Sequence, residues 1–411
     1  MTYERMLTVE EAQKTVLDSI SVAGIERRGL SDTREYILAE DIAPKYDVPP
    51  FNNSSVDGYA VRAMDTEGAS ATRPKQLDIL EEIPAGAVPT ETIISGMASK
   101  IMTGGILPEG ADAVIMVENT MQERNRVSIL KKVEKGQNVR YRGEDVKKGK
   151  KVLLAGTKIG AGEIGLLAAF QRSQVSIRRK PDVAILSTGD EIAAIDENLV
   201  PGKIVDSNSY SLAALVRECN ARPINLPTAR DDEIEIRKVI QSALNADIIL
   251  STGGVSVGDY DYVKKVLGDL GAEIKFWQVK MKPGKPLTFG LLQNKPYFGL
   301  PGNPVSCMVS FLLFVRPAIR KLIGYDSRYW HLPEFCALTE NDLNTAGDRR
   351  QYLRGKVTYT DGQFRVSTAA NQGSGMLSSM TGTNCLVILE PGKTLIARGT
   401  EVRVLLMSNL V

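Results

Sequence analysis

The feature that most constrains the fold is an alternation of apolar strands with helix-periodic segments between residues 183 and 322. Short apolar runs begin at Val183 and Ile248, and each is bounded by turn residues, which is typical of buried strands. Apolar side chains at helical spacing follow them, for example over residues 208–219 and 263–270. Strands that alternate with helices over this length form a mainly parallel sheet with helices on both faces. We therefore predict a doubly wound α/β domain in this part of the chain.

The stretch 247–261, DIILSTGGVSVGDYD, passes from a strand to a helix through several glycines. Glycines let backbone amides approach an anion closely, and a helix start adds a partial positive charge. Asp259 and Asp261 end the stretch and indicate a divalent metal that bridges to phosphate. The alternative is a tight turn whose glycines only permit positive φ, and this stretch by itself leaves both interpretations open. The candidate anion-binding residues in the loop are Gly253, Gly254, Ser256 and Gly258.

Polar residues follow the other predicted strands as well. Ligands of parallel sheets bind beyond the carboxyl ends of the strands. Asp190 and Glu191 follow one strand, and Asp231 follows another. The loop KMKPGKP at 280–286 adds lysines, and PGNPVS at 301–306 begins a helix with free amides. Helix capping could explain each aspartate singly, but the whole set fits a phosphate-plus-Mg²⁺ site better.

Charge and residue usage exclude several classes of function. The chain has 51 Lys and Arg against 49 Asp and Glu, so no large field attracts nucleic acid or an anionic membrane. His331 is the single histidine, which counts against Ser-His-Asp hydrolases and HExxH zinc sites. The four cysteines form no CxxC pair, and no apolar run resembles a signal peptide or a membrane span. We expect a cytoplasmic protein without nucleic-acid or membrane partners.

Nine stretches follow one another along the chain: NSSVDGYA, IMTGG, RGEDV, STGDE, TARDD, STGGVSVGDYDYVKK, KPGKP, GLPGNPVS and NQGS. Taken in order, they resemble the motifs of the molybdopterin molybdenumtransferases, the MoeA family, which includes the gephyrin E domain. The resemblance covers nearly the whole chain, and an ordered series of motifs is far more specific than one glycine loop. One departure is Gln278, which follows Trp277 where some relatives have a lysine, so part of the basic lining is either lost or supplied by Lys280.

The resemblance implies a multidomain α/β and β architecture in an elongated homodimer. Residues 1–45 with 146–180 would form an N-terminal helical and mixed domain, and residues 46–145 a β-rich domain inserted into it. Residues 181–325 would form a central α/β domain like the small molybdopterin-adenylylating proteins. Residues 326–411, whose sequence alone predicts a small barrel or meander, would form a C-terminal β-barrel.

The resemblance also implies the reaction. Such enzymes take adenylylated molybdopterin and molybdate, release AMP and leave molybdenum on the dithiolene sulfurs, with Mg²⁺ as cofactor. Both substrates are anions beside acidic side chains, so a metal ion must lie between acid and phosphate. The implied partners are these two substrates, a second copy of the chain and other proteins of cofactor biosynthesis.

Matched positions assign site residues to three roles. Because Asp57 and Asp145 lie outside the central domain, we expect the site to close across a subunit boundary. The implied catalytic residues are Asp57, Asp145, Asp231 and Asp261. The implied substrate-binding residues are Thr103, Gly253, Gly254, Ser256, Gly258, Lys282, Lys285, Gly302, Asn303 and Ser374. The implied metal ligands are Glu191, Asp261 and Asp145.

Several alternatives stay open at this point. Adenylylation of molybdopterin uses the same central fold, although it would not need the regions around Asp57 and Asp145. A non-catalytic molybdopterin-binding scaffold is a second alternative, but clustered carboxylates without a ligand would merely repel one another. A third alternative is a generic Mg²⁺-dependent nucleotide hydrolase, but this sequence has no GxxxxGK[ST] loop, which counts against it. The choice of molybdate over tungstate, and the division of residues between Mg²⁺ and oxyanion, are also open.

Overall fold

The computed structural model describes residues 6–253, 262–344, 347–392 and 395–408. The first helix begins as its capping-box pattern predicts, because Thr8 Oγ1 accepts from the Glu11 amide and the Glu11 carboxylate accepts from the Thr8 amide. Up to residue 181 the elements are α1 (Val9–Asp18), β1 (Ile25–Gly29), β2 (Asn53–Ser54), β3 (Gly58–Val61), β4 (Lys75–Ile83), β5 (Met97–Ile101), β6 (Ala113–Met116), β7 (Thr120–Glu123), β8 (Arg126–Ile129), β9 (Val139–Arg140), α2 (Ala161–Ala169) and β10 (Gln174–Arg178).

Among the described residues, three hydrophobic clusters form the core of this part of the chain. In the first, β1 pairs antiparallel with β10, and Leu38, Ile42 and Val146 pack with Leu167 of α2. The other two are formed by alternate residues of a six-stranded sheet of order β6-β3-β5-β4-β8-β7. The short pair β2–β9 adjoins this sheet and connects the loop before β3 to the loop after β9.

The central sheet has the order β14-β11-β15-β19-β18-β16, in which only β18 runs opposite to the other described strands. The parallel order of its first four strands confirms the predicted doubly wound α/β domain. Its elements are β11 (Asp182–Ser187), β12 (Ile192–Ala193), β13 (Ile204–Val205), α3 (Asn208–Glu218), β14 (Arg222–Asn225), α4 (Glu233–Ala243), β15 (Ile248–Thr252), α5 (Tyr262–Asp269), β16 (Glu273–Gln278), β17 (Met281–Lys282), β18 (Pro286–Leu292), β19 (Lys295–Leu300), α6 (Pro304–Ser310) and α7 (Arg316–Ile323).

Alternate side chains of the central strands face opposite layers of helices. Val183 and Ile185 of β11 pack with α1, α3, α6 and α7. Ala184 and Leu186 of the same strand pack with α4 and α5 on the other face. Because successive strand residues point to opposite faces, a continuous apolar run is what a sheet covered on both sides requires.

The C-terminal strands close into a barrel. Strands β22, β23, β20, β26 and β24 pair in that order, and β24 pairs again with β22. This ring confirms the predicted small β-barrel. The edge strand β17 of the lysine loop pairs in parallel with β22 and so joins the barrel to the central domain. The elements are β20 (Glu334–Thr339), β21 (Leu343–Asn344), β22 (Arg350–Thr360), β23 (Gln363–Thr368), β24 (Cys385–Leu389), β25 (Leu395–Ile396) and β26 (Glu401–Leu406).

The multidomain α/β and β fold class is therefore confirmed, whereas the bounds of the four domains remain a prediction. Across the described ranges, no helix combines the length and the apolar character needed to cross a membrane.

A charged clamp aligns the amino ends of two neighbouring central strands. Arg179 donates from Nη2 to Asp247 Oδ1 (2.6 Å) and from Nη1 to Oδ2 (2.9 Å), and the Asp182 amide also donates to Oδ2 (2.8 Å). Burial by itself raises the pKa of Asp247, but these hydrogen bonds outweigh it and hold the pKa below its ordinary value. The clamp therefore stabilises the fold most when Asp247 is ionised.

We expect Asp247→Asn to lower the stability of the central domain by about 1–2 kcal/mol at pH 7, because the clamp loses a charged acceptor that is only partly exposed. The folded-state pKa lies below the unfolded one, so the contribution is complete above about pH 4 and is lost as pH falls through the folded pKa. Thermal melts of both proteins at pH 7 and in acid measure this difference.

Asp78→Asn is the matched control, since Asp78 of β4 pairs with Arg126 of β8 on the exposed surface. Its melting temperature should change less than that of Asp247→Asn at pH 7. Equal losses in the two variants would contradict the special contribution of the clamp.

Candidate functional site

A cleft of about 480 Å³ opens at the carboxyl ends of the parallel strands, where ligands of such sheets bind. We call it the central cleft. Its walls come from the loops after β11 and β15, the start of α3 and the turn before α6. Four of the predicted site residues line it: Glu191, Gly253, Gly302 and Asn303. Other lining residues include Thr188, Asp206, Ser207, Asn208, Thr252, Pro286 and Ser306.

Position 253 requires glycine for two reasons. Its φ is +87°, a conformation that side-chain-bearing residues rarely adopt, and a Cβ would lie 2.5 Å from the Thr188 carbonyl oxygen. At Gly302 a Cβ would meet only the Gly253 Cα, at an ordinary 3.8 Å. The two glycine-bearing loops thus run close together, and one of them also packs tightly against the end of β11.

Residues 206–208 belong to the cleft, although their sequence was interpreted only as the approach to a helix. Asp206 is 8% exposed, and its Oδ1 accepts from the Ser209 amide at 3.0 Å. Asn208 Nδ2 donates to Thr252 Oγ1 and to the Gly302 carbonyl, both at 2.8 Å. The missed signal was the position of these polar residues directly after the short apolar run of β13 and before α3.

The oxygen donors of the central cleft suit Mg²⁺, which prefers hard oxygen ligands. Glu191 and Asp206 contribute carboxylates. Thr188 Oγ1 and Asn208 Oδ1 are buried oxygens without a hydrogen-bond partner in the part of the chain that the structure describes. Those same ranges hold no group of three or more His, Cys, Asp or Glu poised around a metal. Among the predicted site residues, Gly254, Ser256, Gly258 and Asp261 lie outside the described ranges.

A second cleft, of about 610 Å³, lies between the loop 282–286 and the barrel. We call it the lysine cleft. Its described lining carries four basic side chains and no Asp or Glu, which makes it attractive to anions. The two clefts share Pro286, Asn303 and Ser306, so they are continuous. The basic residues are Lys282, Lys285, Arg349 and Arg354.

Arg354 is a site residue that no motif indicated. Its side chain is fully buried, and it donates from Nε to Ser379 Oγ (3.1 Å) and from Nη2 to the Asn371 and Gly373 carbonyls (3.2 and 3.1 Å). Burial lowers the pKa of Arg354. Its Nη1 lacks a hydrogen-bond partner among the described residues. The arginine therefore holds the NQGS loop in place and adds a desolvated positive charge beside it.

The predicted residue Ser374 lies in the lysine cleft, on the loop that Arg354 supports. Its backbone carbonyl accepts from the Val305 amide at 3.1 Å. One amide that the sequence predicted to be free at the start of α6 is therefore already occupied by the barrel. Lys280 lines neither cleft, and its amide donates instead to the Leu7 carbonyl. Arg349 and Arg354 supply the additional positive charge.

A third group, the insert cluster, consists of Asp57, Thr103 and their loops. Asp57 Oδ1 accepts from the Thr103 amide (2.7 Å) and from the Thr103 hydroxyl (2.9 Å). These two bonds hold the pKa of Asp57 below its ordinary value. Ser54 exchanges backbone hydrogen bonds with Gly104 and Gly105, so the two motifs form one surface.

The predicted residue Asp145 lies on the loop after β9, which reaches the same region. The Arg142 amide donates to Asn52 Oδ1 at 2.8 Å, and the Asp145 amide donates to the Val48 carbonyl. The Asp145 side chain is exposed. Asp57, Thr103 and Asp145 line neither the central cleft nor the lysine cleft of their own chain.

The paired aspartates after β11 and β14 have different environments. The Asp190 amide donates to Asp231 Oδ2 (3.4 Å) and the Asp231 amide to Asp190 Oδ1 (3.2 Å), so Asp231 lies beside the loop that carries Glu191. Asp231 itself does not line the central cleft. Asp232 accepts from the Ile234 and Glu235 amides and caps α4, so for this aspartate the capping interpretation is right.

Three family models match the chain in succession. Residues 7–170 match the MoeA N-terminal region (domain I and II), residues 184–321 a probable molybdopterin binding domain, and residues 337–407 the MoeA C-terminal region (domain IV).

Curated proteins and solved structures match over similar lengths. A molybdopterin molybdenumtransferase from Nostoc sp. is 44% identical over 375 residues, covering 90% of this chain and 86% of that protein. The protein of the same name from Haemophilus influenzae is 36% identical and covers 97% of this chain and 98% of its own length. The structure of the molybdopterin biosynthesis MoeA protein from Pyrococcus horikosii has a TM-score of 0.85 at 32% identity, covering 98% of this chain and 100% of that one.

We expect Gly253→Ala to destabilise the protein by about 1–3 kcal/mol, because alanine disfavours the positive φ and its Cβ would overlap the Thr188 carbonyl. Gly302→Ala is the matched control in the same cleft, and its added methyl group meets only ordinary contacts. Thermal melts of the two variants compare the positions directly. Similar melting temperatures for both would show that the close approach at position 253 is unimportant.

Proposed function

The chain belongs to the MoeA family of molybdopterin molybdenumtransferases, and we propose that it inserts molybdenum from molybdate into adenylylated molybdopterin, with Mg²⁺ as cofactor and release of AMP. The enzyme is a transferase of molybdenum cofactor biosynthesis, as its motifs predicted. Release of AMP, use of Mg²⁺, assembly as a homodimer and a cytoplasmic location are the finer parts of the proposal.

The observation that carries the proposal is the continuity of two clefts of opposite character. The central cleft presents Glu191 and Asp206 beside two glycine-bearing loops. The adjoining lysine cleft is lined by Lys282, Lys285, Arg349 and the buried Arg354, and its described lining holds no carboxylate. A substrate with a pyrophosphate and a co-substrate that is a tetrahedral dianion need both environments side by side.

In the lysine cleft, Lys282 and Lys285 would attract molybdate, and the charge of Arg354 would add to theirs. An oxyanion held by ammonium groups exchanges its water shell for fixed donors and is positioned for reaction. The Ser374 loop stays in place because Arg354 and the Val305 amide bind its backbone. Positioning of two anions at neighbouring points is thus the contribution of this chain's own residues.

In the central cleft, Glu191 and Asp206 would hold Mg²⁺. The predicted ligand Asp261 lies outside the described ranges. When bound, the ion would neutralise phosphoryl oxygens and so lower the cost of charge developing on them. The glycine-bearing loops would let backbone amides reach the phosphate groups. Asp231 would support the loop that carries Glu191, through its hydrogen bonds with Asp190.

The insert cluster supports a site that is shared between two subunits. Asp57 is held ionised by Thr103 and lines neither cleft of its own chain. The two hydrogen bonds fix the Asp57 carboxylate at the surface of the insert cluster, where a second chain could meet it. We propose that the insert cluster and Asp145 of one chain complete the clefts of a second copy.

We expect the purified chain to release AMP from adenylylated molybdopterin when molybdate and Mg²⁺ are both present. Chromatography of AMP over time measures the rate, with tungstate in place of molybdate as a parallel reaction. Excess chelator should stop the release, because the phosphoryl charge would no longer be neutralised.

Each contrary result has a distinct meaning in this assay. Binding of the substrate without AMP release would favour a molybdopterin-binding scaffold. Formation of adenylylated molybdopterin from molybdopterin and ATP would favour the preceding reaction of the pathway. A faster reaction with tungstate would identify a tungstate-selective enzyme, and an undiminished rate in chelator would remove Mg²⁺ from the proposal.

We expect the inactive variants Asp57→Asn and Glu191→Gln to restore activity to each other when their subunits are mixed. In a shared site, random re-pairing leaves one intact site in each mixed dimer, so about a quarter of the parent rate should return. Denaturation and joint refolding of the two variants, followed by the AMP assay, measures this. The control is each variant refolded alone, and absence of recovery in the mixture would place both residues in one chain's site.

A further inference from the structure

One side chain joins the two glycine-bearing loops of the central cleft. Asn208 Nδ2 lies 2.8 Å from Thr252 Oγ1, at the end of β15, and 2.8 Å from the Gly302 carbonyl oxygen, in the turn before α6. The orientation of this amide is determined by chemistry, because a carbonyl oxygen can only accept and must face the amide nitrogen. Asn208 thus uses both of its N–H groups between the loops.

The other contacts between these two loops are longer. Thr252 Oγ1 donates to the Pro301 carbonyl at 3.4 Å, and the Gly253 amide donates to the Leu300 carbonyl at 3.4 Å. The Cys307 thiol lies 3.9 Å from Thr252 Oγ1, a weak contact for sulfur. The strand pairing of β15 with β19 ends at Thr252 and Leu300. Hydrogen bonds weaken as they lengthen beyond about 3.2 Å, so beyond that pairing the Asn208 amide makes the shortest described hydrogen bonds to the two loops.

Asn208 is itself held by a rigid element. It is the first residue of α3, and the Asp206 carboxylate fixes the following turn through the Ser209 amide. The Ser209 hydroxyl also lies 2.8 Å from the Ser187 hydroxyl at the end of β11. A group anchored to a helix and a strand keeps its geometry better than one on a free loop.

The Asn208 side chain does not cap α3, because both bonds of its amide nitrogen go to other segments. Its Oδ1 is buried and has no hydrogen-bond partner among the residues that the structure describes. The amide oxygen therefore stays one of the cleft oxygens that suit Mg²⁺, whereas the amide nitrogen joins the two loops.

We propose that Asn208 is the positioning residue of the central cleft, which keeps the end of β15 and the turn before α6 at the separation that a nucleotide phosphate requires. This inference rests on the proposed function for the identity of the ligand. Both loops carry a glycine that lines the cleft, Gly253 and Gly302, and a ligand lying across them depends on their spacing. Both hydrogen bonds of Asn208 Nδ2 go to protein atoms, so Asn208 would act on the ligand through the two loops.

The test combines hydrogen exchange with titration of Mg²⁺ and AMP. In Asn208→Ala, amide hydrogens in segments 252–253 and 301–307 should exchange faster, because the pairing of β15 with β19 stays while the side-chain connection beyond it is lost. The dissociation constant for AMP should rise by about tenfold or more, as expected when preorganisation of a phosphate site is lost. Asn208→Asp keeps the shape but cannot donate to the Gly302 carbonyl, so it should show the same two changes.

Ser211→Ala is the matched control. Ser211 Oγ donates to the Ser207 carbonyl in the same turn of α3, and Ser211 does not line the central cleft. This variant should keep the parent exchange rates in both loop segments and the parent affinity for AMP. Asn208→Ala and Ser211→Ala should have similar melting temperatures, which separates positioning from a general loss of stability.

The results distinguish this inference from the proposed function. Unchanged exchange in both loop segments, or unchanged affinity for AMP in Asn208→Asp, would overturn the positioning role. If the parent chain and Ser211→Ala fail to bind AMP, the proposed function is contradicted. Faster exchange in the two Asn208 variants would then still support the connection between the loops, and parent-like exchange would refute it.

Discussion

The parallel pairing of β11, β15 and β19 is the constraint on which the rest of the structure depends. Helices cover both faces of these strands, so their apolar runs leave no room for polar groups until the strands end. The ends lie at one edge of the sheet because the strands run in the same direction. Glu191, Gly253 and Gly302 are far apart in sequence, and this geometry brings them into one cleft.

The C-terminal barrel forms one wall of the lysine cleft beside the central sheet. Strand β17 pairs with β22, and the Ser374 carbonyl binds the Val305 amide at the start of α6. These two attachments place Arg354 and Ser374 opposite Lys282 and Lys285. The described lining of the lysine cleft carries basic side chains and no carboxylate, whereas Glu191 and Asp206 line the adjoining central cleft. Separate clefts of opposite charge beside each other suit a pair of anionic substrates with an intervening Mg²⁺.

The insert cluster lies apart from both clefts of its own chain. Two hydrogen bonds from Thr103 keep the Asp57 carboxylate ionised, and neither residue lines a cleft of its own chain. Membership of the MoeA family agrees with the ordered motifs that carry these residues. A site shared between two copies would give these motifs a common purpose, and that arrangement remains our proposal.

The sequence by itself determined the fold class, because strand and helix periodicities and capping residues are local patterns that packing here reinforces. It also indicated the glycine turns and the lysine loop, since φ and charge depend on residue type. It did not indicate Asp206, Asn208 or Arg354, whose neighbours in sequence look like an ordinary helix start and strand. Only the tertiary structure decided that Asn208 joins two loops and that Arg354 is buried, because both depend on contacts between segments distant in the chain.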